Sequence, residues 1–221
     1  MRLLFALVLT AAPALAEDRP VLDPLAPARP GAVALYVQAR GLAALGQSAK
    51  DPLMVLTAAR ILHGLRVTAT RRQPAPVGAE AAGVAAGSPA ALALPDAAQL
   101  LDSARALDAG QSYSDLIDLL AREVPPQPKA LRVSPSTLKP GQSEVWTLAF
   151  FGGTHGELAI LGSGKSNLDL VVTGAGDTQI CLDRGSAAAA YCGFTLVENG
   201  NVTVLVTNVG PNADSYLLLT E

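Results

Sequence analysis

The run Pro125-Pro126-Gln127-Pro128 divides the sequence more sharply than any other feature. Proline lacks the amide proton that a helix needs and pushes the residue before it out of the helical region, so no helix crosses this point. Upstream, apolar residues recur three and four apart. Downstream they fall into short runs separated by Gly, Asn, Asp and Ser. The expected class is therefore α+β with the two kinds of structure segregated along the chain. A helical region of about four helices spans 17–124, and an all-antiparallel β-sandwich or jelly roll of about eight strands spans 125–221.

In the upstream half, Leu35, Ala39 and Leu42 share one helical face and Gly46 is the expected stop. Asp51-Pro52 predicts the start of a second helix, an N-cap followed by proline at the first helical position. Met54, Ala58, Ile61 and Leu65 follow on one face, and the short link implies an antiparallel pair. Residues 66–94 turn rich in Ala, Gly and Pro and offer little bulk to offset their ordering entropy, which predicts a flexible connection. A third helix is expected from Pro95-Asp96, with Leu100, Ala104 and Leu107 on one face. A fourth is expected over Tyr113–Glu123, with Ser112 and Asp115 resembling a capping box.

Downstream, strands are expected at Ala130–Val133, Glu144–Phe151, Glu157–Leu161, Leu168–Thr173, Thr178–Leu182, Tyr191–Val197, Val202–Asn208 and Ser215–Thr220. Glu198-Asn199-Gly200-Asn201 carries the Asn-Gly pair favoured in tight hairpins. Cys181 ends one strand and Cys192 opens the next, which predicts a disulfide between neighbouring antiparallel strands. Closing such a loop stabilises by roughly 2–3 kcal/mol in the chain-entropy model. The alternative is a redox-active or metal-binding pair, which lacks both C-x-x-C spacing and a nearby histidine.

The first residues read as an address. Arg2, the apolar run Leu3–Thr10 and the small-x-small motif Ala14-Leu15-Ala16 have the form of a signal peptide over 1–16, with the mature chain expected to begin at Glu17. The apolar run is about half the length that spans a bilayer, and no later segment is long and apolar enough to do so. A periplasmic or secreted location follows, where a disulfide persists. Lys and Arg number 16 and Asp and Glu 19, so loss of Arg2 takes the net charge from −3 to about −4 and disfavours a nucleic-acid partner. The oligomeric state is left open.

No motif names a reaction, so no catalytic residue and no cofactor are expected. His63 sits near the end of the second predicted helix, where an imidazole meets terminal carbonyls favourably. His155 lies in Gly152-Gly153-Thr154-His155-Gly156, a predicted turn, and neither histidine belongs to a zinc motif. Gly162-Ser163-Gly164-Lys165-Ser166 looks like a phosphate loop but has Ala159 where the pattern needs glycine, and a strand follows instead of a helix. The sequon Asn201-Val202-Thr203 falls in a predicted hairpin and is read as incidental. Asn167, Asp169, Asp177 and Asp183 bring the oxygens calcium favours, without the spacing of a dedicated loop, so solvated turn residues are the plainer reading.

From Glu144 onward the chain resembles the bacterial pre-peptidase C-terminal domain. The similarity rests on Leu168-Asp169-Leu170-Val171-Val172 and on the closing Val204-Leu205-Val206-Thr207-Asn208 and Ser215-Tyr216-Leu217-Leu218-Leu219. The family's Gly-x-Tyr before the penultimate strand is replaced here by Glu198-Asn199-Gly200-Asn201-Val202. The resemblance implies a jelly-roll-like accessory or binding module of secreted proteins, although no peptidase domain precedes it here. The whole chain also resembles a group of uncharacterised secreted proteobacterial proteins, which implies shared architecture and no particular activity.

The function expected on these grounds is a non-catalytic binding or adaptor module of the envelope, presenting loops or a sheet face to a protein or glycan. His155, Asn208, Asn212 and Asp214 are its expected contact residues. The alternatives are a small secreted hydrolase, using His155 with a nearby serine or carboxylate, and a structural or stress-related component whose helices self-associate.

Overall fold

The computed structural model describes residues 30–77, 95–125, 127–185 and 189–221. The predicted signal peptide and most of the predicted connection lie outside these residues. Helices α1 (Ala32–Ala49), α2 (Pro52–His63), α3 (Ala97–Leu107) and α4 (Ser114–Arg122) form one layer. Strands β1 (Leu65–Ala69), β2 (Ala75–Pro76), β3 (Lys129–Leu138), β4 (Ser143–Phe150), β5 (His155–Gly162), β6 (Leu168–Thr173), β7 (Gln179–Asp183), β8 (Ala189–Thr195), β9 (Gly200–Asn208) and β10 (Asp214–Thr220) form the other two.

Two of the three helix starts with a clear sequence signal have the expected caps. Asp51 accepts hydrogen bonds from the amides of Leu53 and Met54, and Asp96 closes a reciprocal capping box with Gln99. The fourth start differs. Ser112 and Asp115 do not cap α4; instead Asp108 accepts from the amides of Ser112 and Tyr113. Gly46 does not stop α1, which runs on to Ala49 and ends at Lys50 in the left-handed region. Gly46 is where α2 comes closest: a β-carbon there would lie 2.8 Å from the Met54 Cβ.

The two sheets have strand orders β1-β3-β10-β5-β8 (sheet A) and β2-β4-β9-β6-β7 (sheet B). Three expectations are corrected. The sheets are not wholly antiparallel, because β1 runs parallel to β3, with Leu65 opposite Lys129 and Ala69 opposite Val133. There are ten strands, because β1 and β2 arise within and just beside the stretch expected to be flexible and supply an edge strand to each sheet. Finally, Asn199-Gly200 does not close a hairpin. It carries the chain from β8 in sheet A to β9 in sheet B, and neither residue takes a positive φ. From β3 onward, only β6 and β7 are consecutive strands paired in one sheet.

Alternation explains the core. Trp146, Leu148, Leu158, Ile160, Leu170, Val172, Phe194, Val202, Val204, Val206, Tyr216 and Leu218 point between the sheets. The opposite face of sheet A brings Leu131, Val133, Ala159, Leu161, Leu217 and Leu219 to a second cluster with Val33, Tyr36, Leu56, Leu100 and Ile117 of the helices. The helical half therefore packs on sheet A, giving a helix–sheet–sheet arrangement with two cores. The sandwich core has its own polar tie: Trp146 Nε1 donates to Tyr216 Oη over 2.7 Å, and Tyr216 Oη donates to buried Glu144.

Candidate functional site

The helical layer turns one face to sheet A and leaves part of its other face bare. In α4, Ile117 and Leu120 are buried, whereas Leu116 and Leu119 are 42% and 66% exposed. Facing them across a groove is α2, whose buried set is Val55, Leu56, Ala58, Ala59 and Leu62 and whose Leu53 is 44% exposed. The groove encloses about 280 Å³ and is lined by Leu53, Leu56, Thr57, Arg60, Leu116, Leu119, Leu120 and Glu123. The ends of the two helices are tied together where His63 Nε2 meets the carbonyl oxygen of Glu123. His63 was expected to meet the terminal carbonyls of its own helix; its Nε2 meets the carbonyl at the cap of α4 instead. Leucines at the rim of an open groove are apolar surface that neither core claims among the described residues.

His155 opens β5 opposite Thr195 and does not lie in a turn. Its Nε2 is 3.3 Å from Glu157 Oε1, a histidine–carboxylate pair such as a hydrolase needs. The carboxylate, however, is already committed. Glu157 is fully buried and accepts from the Gly31 amide at 2.8 Å, the Ala34 amide at 3.0 Å and the Tyr191 hydroxyl at 2.9 Å. Glu221 accepts from the Ala32 amide. Helix α1 has no side-chain cap of its own. Two carboxylates, Glu157 of β5 and Glu221 just after β10, supply it, satisfying amides that the helix leaves unpaired and facing the positive end of its dipole. A β-carbon at Gly31 would lie 2.4 Å from Glu157 Oε2, so a side chain there would have to displace the carboxylates that cap the helix. Burial and Glu157 together raise the pKa of the Tyr191 hydroxyl, which keeps it a proton donor. This cluster fastens the helices to the sandwich.

The loops at the far end of the sandwich are likewise closed on themselves. Asn208 is fully buried; its Nδ2 donates to the carbonyls of Leu138 and Asn212, and its Oδ1 accepts from Ser166 Oγ and the Gly210 amide. Asp214, also buried, accepts from Ser163 and Ser166. Both were expected at a contact surface, yet saturated buried groups have nothing left for a ligand. Asn212 is exposed, and its Nδ2 donates to the Lys165 carbonyl. The phosphate-loop lookalike is the turn between β5 and β6 that these bonds fasten, with Gly164 at a positive φ.

Of the four oxygen-bearing residues weighed for calcium, Asn167, Asp169 and Asp183 lie on or beside β6 and β7, and Asp177 lies in the turn between them. Asn167 Oδ1 and Asp169 Oδ1 are buried without a partner, while Arg184 Nε stands 3.9 Å from the other oxygen of Asp169. Asp183 accepts from the Gly185 amide, and Asp177 lies in an exposed turn. Among the described residues, no three His, Cys, Asp or Glu side chains converge to hold a metal. Cys181 and Cys192 form a disulfide with their Cα atoms 6.0 Å apart. It does not join neighbouring strands of one sheet, as expected. It links β7 at the edge of sheet B to β8 at the edge of sheet A.

No protein-family model matches the chain, and neither does any curated protein. Among solved structures, it is similar to the pre-peptidase C-terminal domain of collagenase from Bacillus anthracis. That likeness has 12% identity and a TM-score of 0.35, and covers 39% of this chain and 86% of that one. A family two carbohydrate esterase from Cellvibrio japonicus is similar at 22% identity and a TM-score of 0.23, over 39% of this chain and 26% of the other. These likenesses are partial and reach no further than the fold.

Proposed function

We propose that the protein is an exported, non-catalytic binding module of the cell envelope, and that it docks a protein on its helical layer. The observation that supports this is the leucine-rimmed groove between α2 and α4. An apolar groove flanked by charged residues suits a protein surface better than a glycan, which calls for aromatic platforms and convergent polar groups. The disulfide is compatible with a periplasmic or secreted location, as is the absence, among the described residues, of a helix long and apolar enough to cross a membrane.

The competing hydrolase reading is weakened where it looked strongest, because the carboxylate beside His155 is occupied in capping α1. The test is a cross-linking pull-down of the protein from its own periplasm, wild type against Leu116→Glu with Leu119→Glu. A cross-linked partner present with the wild type and lost with the variant, at an unchanged melting temperature, supports docking. Identical cross-linking by the two proteins overturns it.

A further inference from the structure

We infer that the occupant of the groove between α2 and α4 is a second copy of this chain, related by a two-fold axis. The inference rests on the docking reading and goes beyond it by naming the partner. Shape is the first ground. A two-fold interface needs a patch complementary to itself, and this patch has both halves of the fit: Leu119 projects from α4, two-thirds exposed, beside a groove of about 280 Å³.

Charge is the second ground. The groove is lined by one cation and one anion, Arg60 and Glu123, and neither is in an ion pair among the described residues. Within the copy Asp118 is already paired, 2.9 Å from Arg105 and 3.9 Å from Arg122, and Asp115, the remaining charge of α4, does not line the groove. A foreign helix with a net charge would leave either Arg60 or Glu123 facing its own sign. A second copy brings Arg60 to Glu123 twice, around a centre of leucines. That is the arrangement of apolar core and complementary polar rim that stable interfaces adopt.

The experiment is sedimentation velocity of the full chain over a wide concentration range. The wild type is expected to dimerise. Leu119→Glu, at a side chain already largely in solvent, is expected to keep the fold and raise the dimer dissociation constant at least about 30-fold. Arg60→Glu alone is expected to weaken the dimer about tenfold, and adding Glu123→Arg to restore it to within about threefold of wild type. A wild type that stays monomeric throughout overturns the inference, as does a dimer indifferent to both Leu119→Glu and the charge reversal. Failure of docking altogether is distinguishable. A monomer that still loses a foreign cross-linked partner on Leu119→Glu removes the second copy and keeps the surface, whereas one whose cross-linking does not change removes both.

Discussion

The two sheets of the sandwich share one core and differ on their outer faces. In sheet A, β10 is buried along Tyr216-Leu217-Leu218-Leu219 and β5 from Gly156 to Gly162, because one face meets sheet B and the other meets the helices. In sheet B, β9 buries Val202, Val204 and Val206 and leaves Thr203, Leu205 and Thr207 toward solvent. The outer row Val145–Leu205–Val171–Leu182 runs across four strands of sheet B, half-buried at best. In the inner strands, a continuous buried run thus marks the sheet with a third layer and an alternating one the sheet with a free face; β8, at the edge of sheet A, alternates as well.

The sharpest test of that difference is a pair of truncations. Leu219→Ala, under the helices, is expected to cost about 2–5 kcal/mol, while Leu205→Ala on the open face costs under about 1 kcal/mol. Equal losses in denaturant titrations would erase the distinction. Next in size is the disulfide: Cys181→Ser with Cys192→Ser is expected to lose roughly 2–3 kcal/mol, and amide exchange should speed up most in edge strands β7 and β8. Uniform acceleration through sheet A, including β10, would show that the bridge supports the whole sandwich and not its edge.

Glu157→Gln tests how the helices are held. It should cost about 1–3 kcal/mol by weakening the cap on α1, with α1 losing amide protection before the strands do. Loss of protection in β9 at the same denaturant concentration would mean that the two cores melt as one. The smallest effect is electrostatic. Burial raises the pKa of Glu144 against the opposing pull of hydrogen bonds from Tyr216 and Ser136. The folded state therefore holds this proton more tightly than the unfolded chain. The stabilisation is complete below the unfolded value of about 4.3 and is lost as pH rises through the folded one. Glu144→Gln keeps the acceptor for Tyr216 and should flatten that part of the melting-temperature profile; parallel profiles would remove Glu144 as the cause.

All eight strands expected from β3 to β10 are present, seven to within about two residues because each carries enough Val, Leu or Ile between turn residues to show its period; β3, expected to end at Val133, runs on to Leu138 through Ser134-Pro135-Ser136-Thr137, which shows none. Strands β1 and β2 did not show in the sequence. Four of the five residues of β1 are exposed, and β2 is a proline-containing pair, so neither has an alternation to read; their partners lie about 65 residues away in sequence. The bridging of the two sheets by Cys181 and Cys192 was equally hidden, because spacing along the chain does not reveal which strands share a sheet. The signal for the groove was present in Leu116-Ile117 and Leu119-Leu120: two apolar stripes on one short helix, of which a core takes only one. Nothing local could show that the carboxylate beside His155 caps a helix more than a hundred residues earlier.

The chain enters sheet A through β1 and sheet B through β2 before it ever reaches the proline block. A shortened chain beginning at Pro125 would keep every strand with a strong pattern and still bare the flanks of β3 and β4, the strands those two border. It would also strip the cover from Leu131, Leu217 and Leu219. The most visible punctuation in the sequence is therefore a poor place to cut. Cut there, the sandwich would lose the parallel neighbour of β3, the antiparallel neighbour of β4 and the helical cover of one face together.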